Sequence, residues 1–239
     1  MLKVDLHIHT INSGHAFGTF YDVIREAGEK KMELIAVTDH GPSMEGTMGK
    51  VHFYMGSRAP AQNGNLRVLW GCESNLINEQ GDIDLEQDLQ EKLDFLIMGI
   101  HPFTPYTDQG KKKNTIALKK AIKKNPKIKF LSHPTFYPCE YNWHEVWEYA
   151  FEYNVLLELN ISSLLKYGHS KTTHFTDMIE FTKKHSQKLI VNSDAHFLHE
   201  IGDDTLLKKY WNELGLSDDL IINNDINSVY KWLEINRNT

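Results

Sequence analysis

The 239-residue, 27.7 kDa chain carries a net charge of −6 and a pI near 6.1, which argues against a protein that must neutralise many nucleic-acid phosphates. No apolar run approaches the ~18 residues of a membrane span, and the N-terminus enters Asp5-Leu6-His7 without a leader pattern. Cys72 and Cys139 form no C-x-x-C, so a disulfide framework and a thiolate zinc knuckle are excluded and a cytoplasmic location is expected. The unusual count is 13 histidines, the side chain that ligates metal and moves protons near neutral pH.

In chain order, short apolar runs predict seven strands, at residues 2–6, 34–37, 66–70, 95–100, 128–131, 155–159 and 189–191. Amphipathic stretches at 20–30, 114–124, 143–153, 175–184 and 227–235 predict helices. The alternation implies an α/β fold around a parallel sheet, and with no Pro/Ser-rich linker a single domain over 1–239 is expected. Residues 41–50 hold three glycines and suit a lid as well as an ordinary loop; 62–65 match no pattern. Residues 111–129 hold nine lysines, but Ile116, Ala117, Ala121 and Ile122 form an apolar stripe that puts most of them on a solvated helix face. Of these lysines only Lys111, Lys112 and Lys113, in the loop before that helix, are placed where they could reach a site.

Metal-type residues fall at the strand ends. The first strand leads into His7-Ile8-His9, whose alternate residues share a face. A lone His-x-His is weak, but the second strand leads into Asp39-His40, the third into Glu73, the fourth into His101, the fifth into His133 and the seventh into Asp194-Ala195-His196, with His15 in the first loop. In a barrel of parallel strands all these C-terminal ends meet at one rim, where active sites are built. Imidazoles with a few carboxylates suit zinc, manganese or iron better than magnesium or calcium. Nine ligands exceed the four of one tetrahedral zinc, so two or three ions sharing a bridging carboxylate are expected. Three divalent ions against two carboxylates leave about +4, a site suited to a phosphate ester.

The set Asp5-Leu6-His7-Ile8-His9-Thr10, Thr38-Asp39-His40-Gly41, Gly71-Cys72-Glu73, His101, Ser132-His133-Pro134 and Ser193-Asp194-Ala195-His196 resembles the PHP (polymerase and histidinol phosphatase) superfamily. In length and spacing it is most similar to the small YcdX-type phosphatase branch, from the first strand to at least His196. The resemblance implies a distorted TIM-like (β/α)7 barrel with three divalent ions, usually zinc, at the C-terminal rim. It implies a first ion on His7, His9, Glu73 and Asp194, a second on His101 and His133 with Glu73 bridging, and a third on His15, His40 and His196. The implied chemistry is attack by a metal-bridging hydroxide on a phosphomonoester, with Glu73 and Asp194 central to it.

His52 and Arg58 are candidates for an added phosphate contact, and Asn160 for a substrate hydrogen bond or a helix cap. His144, His169, His174, His185 and His199 read as surface or capping residues. The competing readings are histidinol-phosphate phosphatase, a PHP-type nuclease or phosphodiesterase, amide hydrolysis in a related barrel, and a closed structural metal module. A small phosphorylated substrate is the expected partner, with no nucleic acid and no membrane.

Overall fold

Strands that feed a barrel core on one face and helices on the other must be apolar on both, and β1 (Val4–Ile8) and β2 (Leu34–Val37) are buried at every residue. The computed structural model describes residues 1–56, 58–167 and 172–235. After β1 come α1 (Phe20–Glu29), β2, α2 (Lys50–Gly56), β3 (Gln62–Asn63), β4 (Leu66–Asn75), α3 (Gln87–Gln90), β5 (Phe95–Gly99) and α4 (Lys111–Lys124). Next are β6 (Ile128–Leu131), α5 (Trp143–Glu152), β7 (Leu156–Asn160), α6 (Ile161–Tyr167), α7 (Thr172–Lys184), β8 (Leu189–Asn192), α8 (Thr205–Tyr210) and α9 (Ile226–Leu233).

The sheet order is β1-β2-β4-β5-β6-β7-β8, every pair parallel, with β3 antiparallel on the edge of β4. A parallel bridge between Ile8 and Ala195 nearly closes the ring, the His9 amide donating to the Ala195 carbonyl at 3.0 Å. The expected (β/α)7 barrel is therefore the observed architecture. Leu6, Leu34, Leu69, Phe95, Ile97, Phe130 and Ile190 fill its interior, and Val229, Trp232 and Leu233 of α9 pack into the same layer. The outer layer joins the opposite strand faces to the helices through residues such as Ile35, Trp147 and Met178. Thr19 starts α1 through a reciprocal capping box with Asp22.

Several boundaries differ from the sequence reading, β1 among them, which runs over Val4–Ile8 rather than 2–6. β4 continues past residue 70 through Gly71 to Asn75, all five residues pairing with β5, because its polar end faces a site rather than solvent. Lys111 to Lys113 form the first turn of α4 instead of a loop near a site, and Lys113 reaches Glu79 at 3.3 Å. Asn114 looked like a helix start but is buried inside α4, its amide accepting from Tyr106 Oη at 2.8 Å and donating to the Glu140 carbonyl at 2.8 Å. The unread segment at 62–65 is a hairpin, with Gly64 at φ 60° and Asn65 as the two-residue loop between β3 and β4, and this Gly-Asn pair was the available signal.

One irregularity matters for function. Asp5 pairs with Ile35 and Ile8 with Val37, so β1 spends three steps where β2 spends two. Leu6 packs in the interior and the adjacent His7 turns inward as well, which consecutive residues of a regular strand cannot do. The bulge re-aims His7 and His9 into the barrel mouth.

Candidate metal centre

The inward-facing ends of six of the seven parallel strands, all but β7, deliver a compact set of nitrogen and oxygen donors. His7 Nε2 and His9 Nε2 lie 3.0 Å apart. Glu73 Oε2 is 3.3 Å from the first and 3.4 Å from the second, and Asp194 Oδ1 is 3.5 Å and 3.1 Å from them. Donors ~2.0–2.1 Å from a tetrahedral ion stand about 3.3–3.4 Å apart, so these spacings match the edges of one coordination polyhedron. Glu73 Oε1, His101 Nε2 and His133 Nε2 form a second set, a triangle with sides of 3.1, 3.0 and 3.1 Å. His40 stands between sets: its Nδ1 is 2.9 Å from Glu73 Oε2, and its ring is 4.5 Å from that of His9. His15 stacks on His40 and His196 at 5.1 and 4.7 Å between ring centroids. The donor atoms of three groups, His7-His9-Asp194, His40-Glu73-His101 and His9-His40-His196, each lie within 4.8 Å of one another.

The hydrogen bonds behind these donors fix their tautomers. Ser13 Oγ has one proton, and it goes to Asp39 Oδ1 at 2.6 Å. Asp39 can only accept: burial works to raise its pKa, but His52, His9 and Ser13 bring it down to about 2. Ser13 Oγ therefore accepts from the His40 amide and from His9 Nδ1 at 2.9 Å, leaving His9 Nε2 bare. Asn75 Nδ2 must donate to the Asp84 carboxylate at 2.6 Å, so its Oδ1 accepts from His101 Nδ1 at 2.6 Å and His101 Nε2 is bare. His7 Nδ1 is 2.8 Å from Glu158 Oε1, and His196 Nδ1 donates to the Asp194 carbonyl at 3.0 Å. Such outer partners orient ligating histidines and raise their basicity.

Bare nitrogens and carboxylate oxygens facing one point at these distances repel unless a cation lies among them. Among the described residues Glu73 Oε2 and His40 Nδ1 are moreover buried with no hydrogen-bond partner, a costly arrangement in a protein interior. Burial alone would push the Glu73 carboxyl up, yet His101, His7 and His40 hold it well below the ordinary carboxylate range. Asp194 is likewise held down against burial by His7, His9 and His196. Burial and the neighbouring His196 push His9 down to about 4, so its ring is neutral at pH 7, the form that ligates metal. His133 and Asp194 sit at φ 32° and 54°, left-handed conformations that cost non-glycine residues about 1–3 kcal/mol and aim both side chains at the basin. The residues fit divalent metal, and the mixed imidazole and carboxylate set is of the type that suits zinc, manganese or iron.

Beside the donors opens a cavity of about 780 Å³, lined by His15, His40, His101, His133, Asp194 and His196 on one side. His52 does not reach it: its Nε2 lies 2.9 Å from Asp39 Oδ2, behind the donors. Arg58 is exposed and outside the lining. Asn160 bridges, donating to Glu158 at 2.9 Å and Asp194 at 3.1 Å while its Oδ1 accepts from the Ser163 amide at 2.7 Å in α6. Residues 41–50 are tied down, the Met48 amide donating to Asn12 and Ser43 to Asp84. His169 lies outside the described residues.

The sequence reading gave no role to Ser13, Asp39, Asn75 or Glu158. Glu158 had a legible signal, a lone acid in the apolar run Leu156-Leu157-Glu158-Leu159, since a buried charge needs partners. Ser13 tests the outer network: Ser13→Ala should weaken metal binding ~10–100-fold in competition with a chromophoric chelator while leaving the circular dichroism unchanged. Unaltered affinity would show that the His9 tautomer needs no support from Ser13.

The chain belongs to the PHP domain family, which matches residues 5–214. It is 33% identical over 238 residues to a probable phosphatase of Caldicellulosiruptor bescii, covering 98% of this chain and 96% of that protein. Its fold is similar to histidinol phosphate phosphatase of Lactococcus lactis, solved with zinc, L-histidinol and phosphate, at a TM-score of 0.56 and 12% identity over 90% of this chain and 94% of that one. A chain of archaeal ribonuclease P bound to mature tRNA shares the fold at a TM-score of 0.58 and 16% identity, over 96% and 90% of the two chains.

Proposed function

We propose that the chain is a metal-dependent phosphatase of the PHP type that hydrolyses a small phosphomonoester, acting as one barrel domain over residues 1–239 in the cytoplasm. The observation that carries the reading is Glu73, whose two oxygens belong to two donor sets beside an open cavity. Its relatives' class as probable phosphatases supports the same activity. No helix among the described residues is long and apolar enough to cross a membrane.

In this reading His7, His9, Glu73 and Asp194 hold one ion, Glu73, His101 and His133 a second, and His15, His40 and His196 a third, zinc being the preferred metal. Bound there, the metals supply Lewis-acid polarisation of the phosphoryl group and activation of water near neutral pH. The chain does the positioning. Glu158, Ser13 and Asn75 hold His7, His9 and His101 in the ligating orientation, and Asn160 steadies Asp194. Lys166 is the one lysine or arginine among the described residues lining the cavity, and it adds a cation for a phosphoryl oxygen.

Charge favours a monoester. Three divalent ions against Glu73 and Asp194 leave about +4, which a terminal dianionic phosphate meets better than a diester with one negative charge. The value of kcat/KM for a small phosphomonoester should exceed that for the matched diester by roughly tenfold or more. Comparable cleavage of the diester, or of single-stranded DNA, would replace this assignment with a nuclease.

A further inference from the structure

Asp84 is a buried acid that stands behind the metal-type donors rather than among them. The four hydrogen bonds it accepts among the described residues all come from neutral groups, two on Ser43 and two on Asn75. A buried carboxylate held by neutral donors alone is costly, so its position calls for a reason other than stability.

The backbone brings the acid to this point. Asn75 ends β4, the chain leaves and returns through an antiparallel bridge between Leu76 and Ile83, and the Asp84 amide donates to the Asn75 carbonyl at 3.1 Å. Oδ1 of Asp84 then accepts from the Asn75 amide at 2.8 Å. Oδ2 accepts from Asn75 Nδ2 at 2.6 Å, from the Ser43 amide at 3.0 Å and from Ser43 Oγ at 2.7 Å. The residue just past His40 makes room for the carboxylate: a Cβ on Gly41 would stand 2.3 and 2.4 Å from its two oxygens.

Every one of these partners donates, and that fixes a relay of proton positions. An acceptor-only carboxylate obliges Asn75 to turn Nδ2 towards residue 84 and Oδ1 towards His101, whose Nδ1 is 2.6 Å away. The His101 proton then sits on Nδ1, and Nε2 faces Glu73 Oε1 and His133 Nε2 bare, at 3.1 Å from each. A neutral amide at 84 reverses the relay. Its Nδ2 would face three donors, so the Asn75 amide turns over and presents Nδ2 to His101 Nδ1, and the ring proton moves to Nε2, where it blocks ligation.

We propose that Asp84 is a positioning residue that sets the tautomer of His101 through Asn75 and so decides whether the second donor set can hold an ion. The consequence for metal rests on the metal-dependent reading above, but the tautomer can be read without turnover. Nitrogen NMR of histidine-labelled protein in excess zinc reports which ring nitrogen carries the proton, the His101 signals being those missing from His101→Gln. Wild-type His101 should be protonated on Nδ1. In Asp84→Asn the proton should sit on Nε2, and zinc affinity, measured against a chromophoric chelator, should fall at least about tenfold for one ion. Exchanging the pair, Asn75→Asp with Asp84→Asn, puts the acceptor-only group beside His101 and the amide behind it. That double variant should regain the Nδ1 proton and an affinity within about threefold of the wild type. Ser43→Ala, which cuts only the link to residues 41–48, should change neither readout. A wild-type ring protonated on Nε2, an Asp84→Asn ring still protonated on Nδ1, or an exchanged pair that restores nothing would overturn the relay. So would a Ser43→Ala variant as impaired as Asp84→Asn, because Asp84 would then act by holding the loop. The expected tautomers in a wild type that binds no zinc would sustain the relay and remove the metal-dependent phosphatase reading instead.

Discussion

Glu73→Gln should lower kcat by a factor on the order of 10² or more and reduce the metal retained per chain. The side chain is fully buried, and its two oxygens face different donor sets, Oε2 towards His7 and His9 and Oε1 towards His101 and His133. Glutamine preserves the shape but brings one neutral oxygen and one amide nitrogen, which donates where a ligand must accept. Both sets lose a negative charge and one loses a ligand outright. Parallel metal analysis and steady-state kinetics check this, and wild-type kcat with wild-type metal content would show that Glu73 bridges nothing.

Removal of metal by a strong chelator should abolish hydrolysis while leaving the far-UV circular dichroism of a folded barrel, and added zinc should restore activity. Two apolar layers support the fold without the donors: Leu34, Phe95 and Phe130 inside the ring, and Ile35, Trp147 and Met178 between strands and helices. The melting temperature should nevertheless fall, because metal binds the folded chain in preference to the unfolded one and stabilises it by mass action. The repulsion among Glu73, Asp194 and the bare nitrogens acts in the same direction once the ions are gone. Collapse of the dichroism together with activity would mean that the metals are structural.

Much of this was legible in the chain itself. Strands buried on both faces read as short apolar runs, so all seven parallel strands could be placed, and metal-type residues directly after them could be assigned to one rim. Tertiary pairing was harder to see. The polar end of β4, Glu73 to Asn75, reads as loop because its partners are a neighbouring strand and a site. The bulge that turns His7 inward has no local sequence mark. Glu158 escaped because its role depends on a residue far away in the chain, Glu158 lying 2.8 Å from His7 across 151 positions. Arg58 had the right chemistry but sits on an exposed turn, and composition cannot distinguish that position from one on the cavity.

Metal content measured on active protein tests the central claim most directly. Protein purified from metal-replete cells, assayed on an aryl phosphate and analysed for elements in the same sample, should contain about two to three equivalents of zinc, manganese or iron per chain, with activity rising in step with that content. Full hydrolytic activity in a sample holding less than about one equivalent would contradict a metal-dependent phosphatase built on Glu73 and its neighbours.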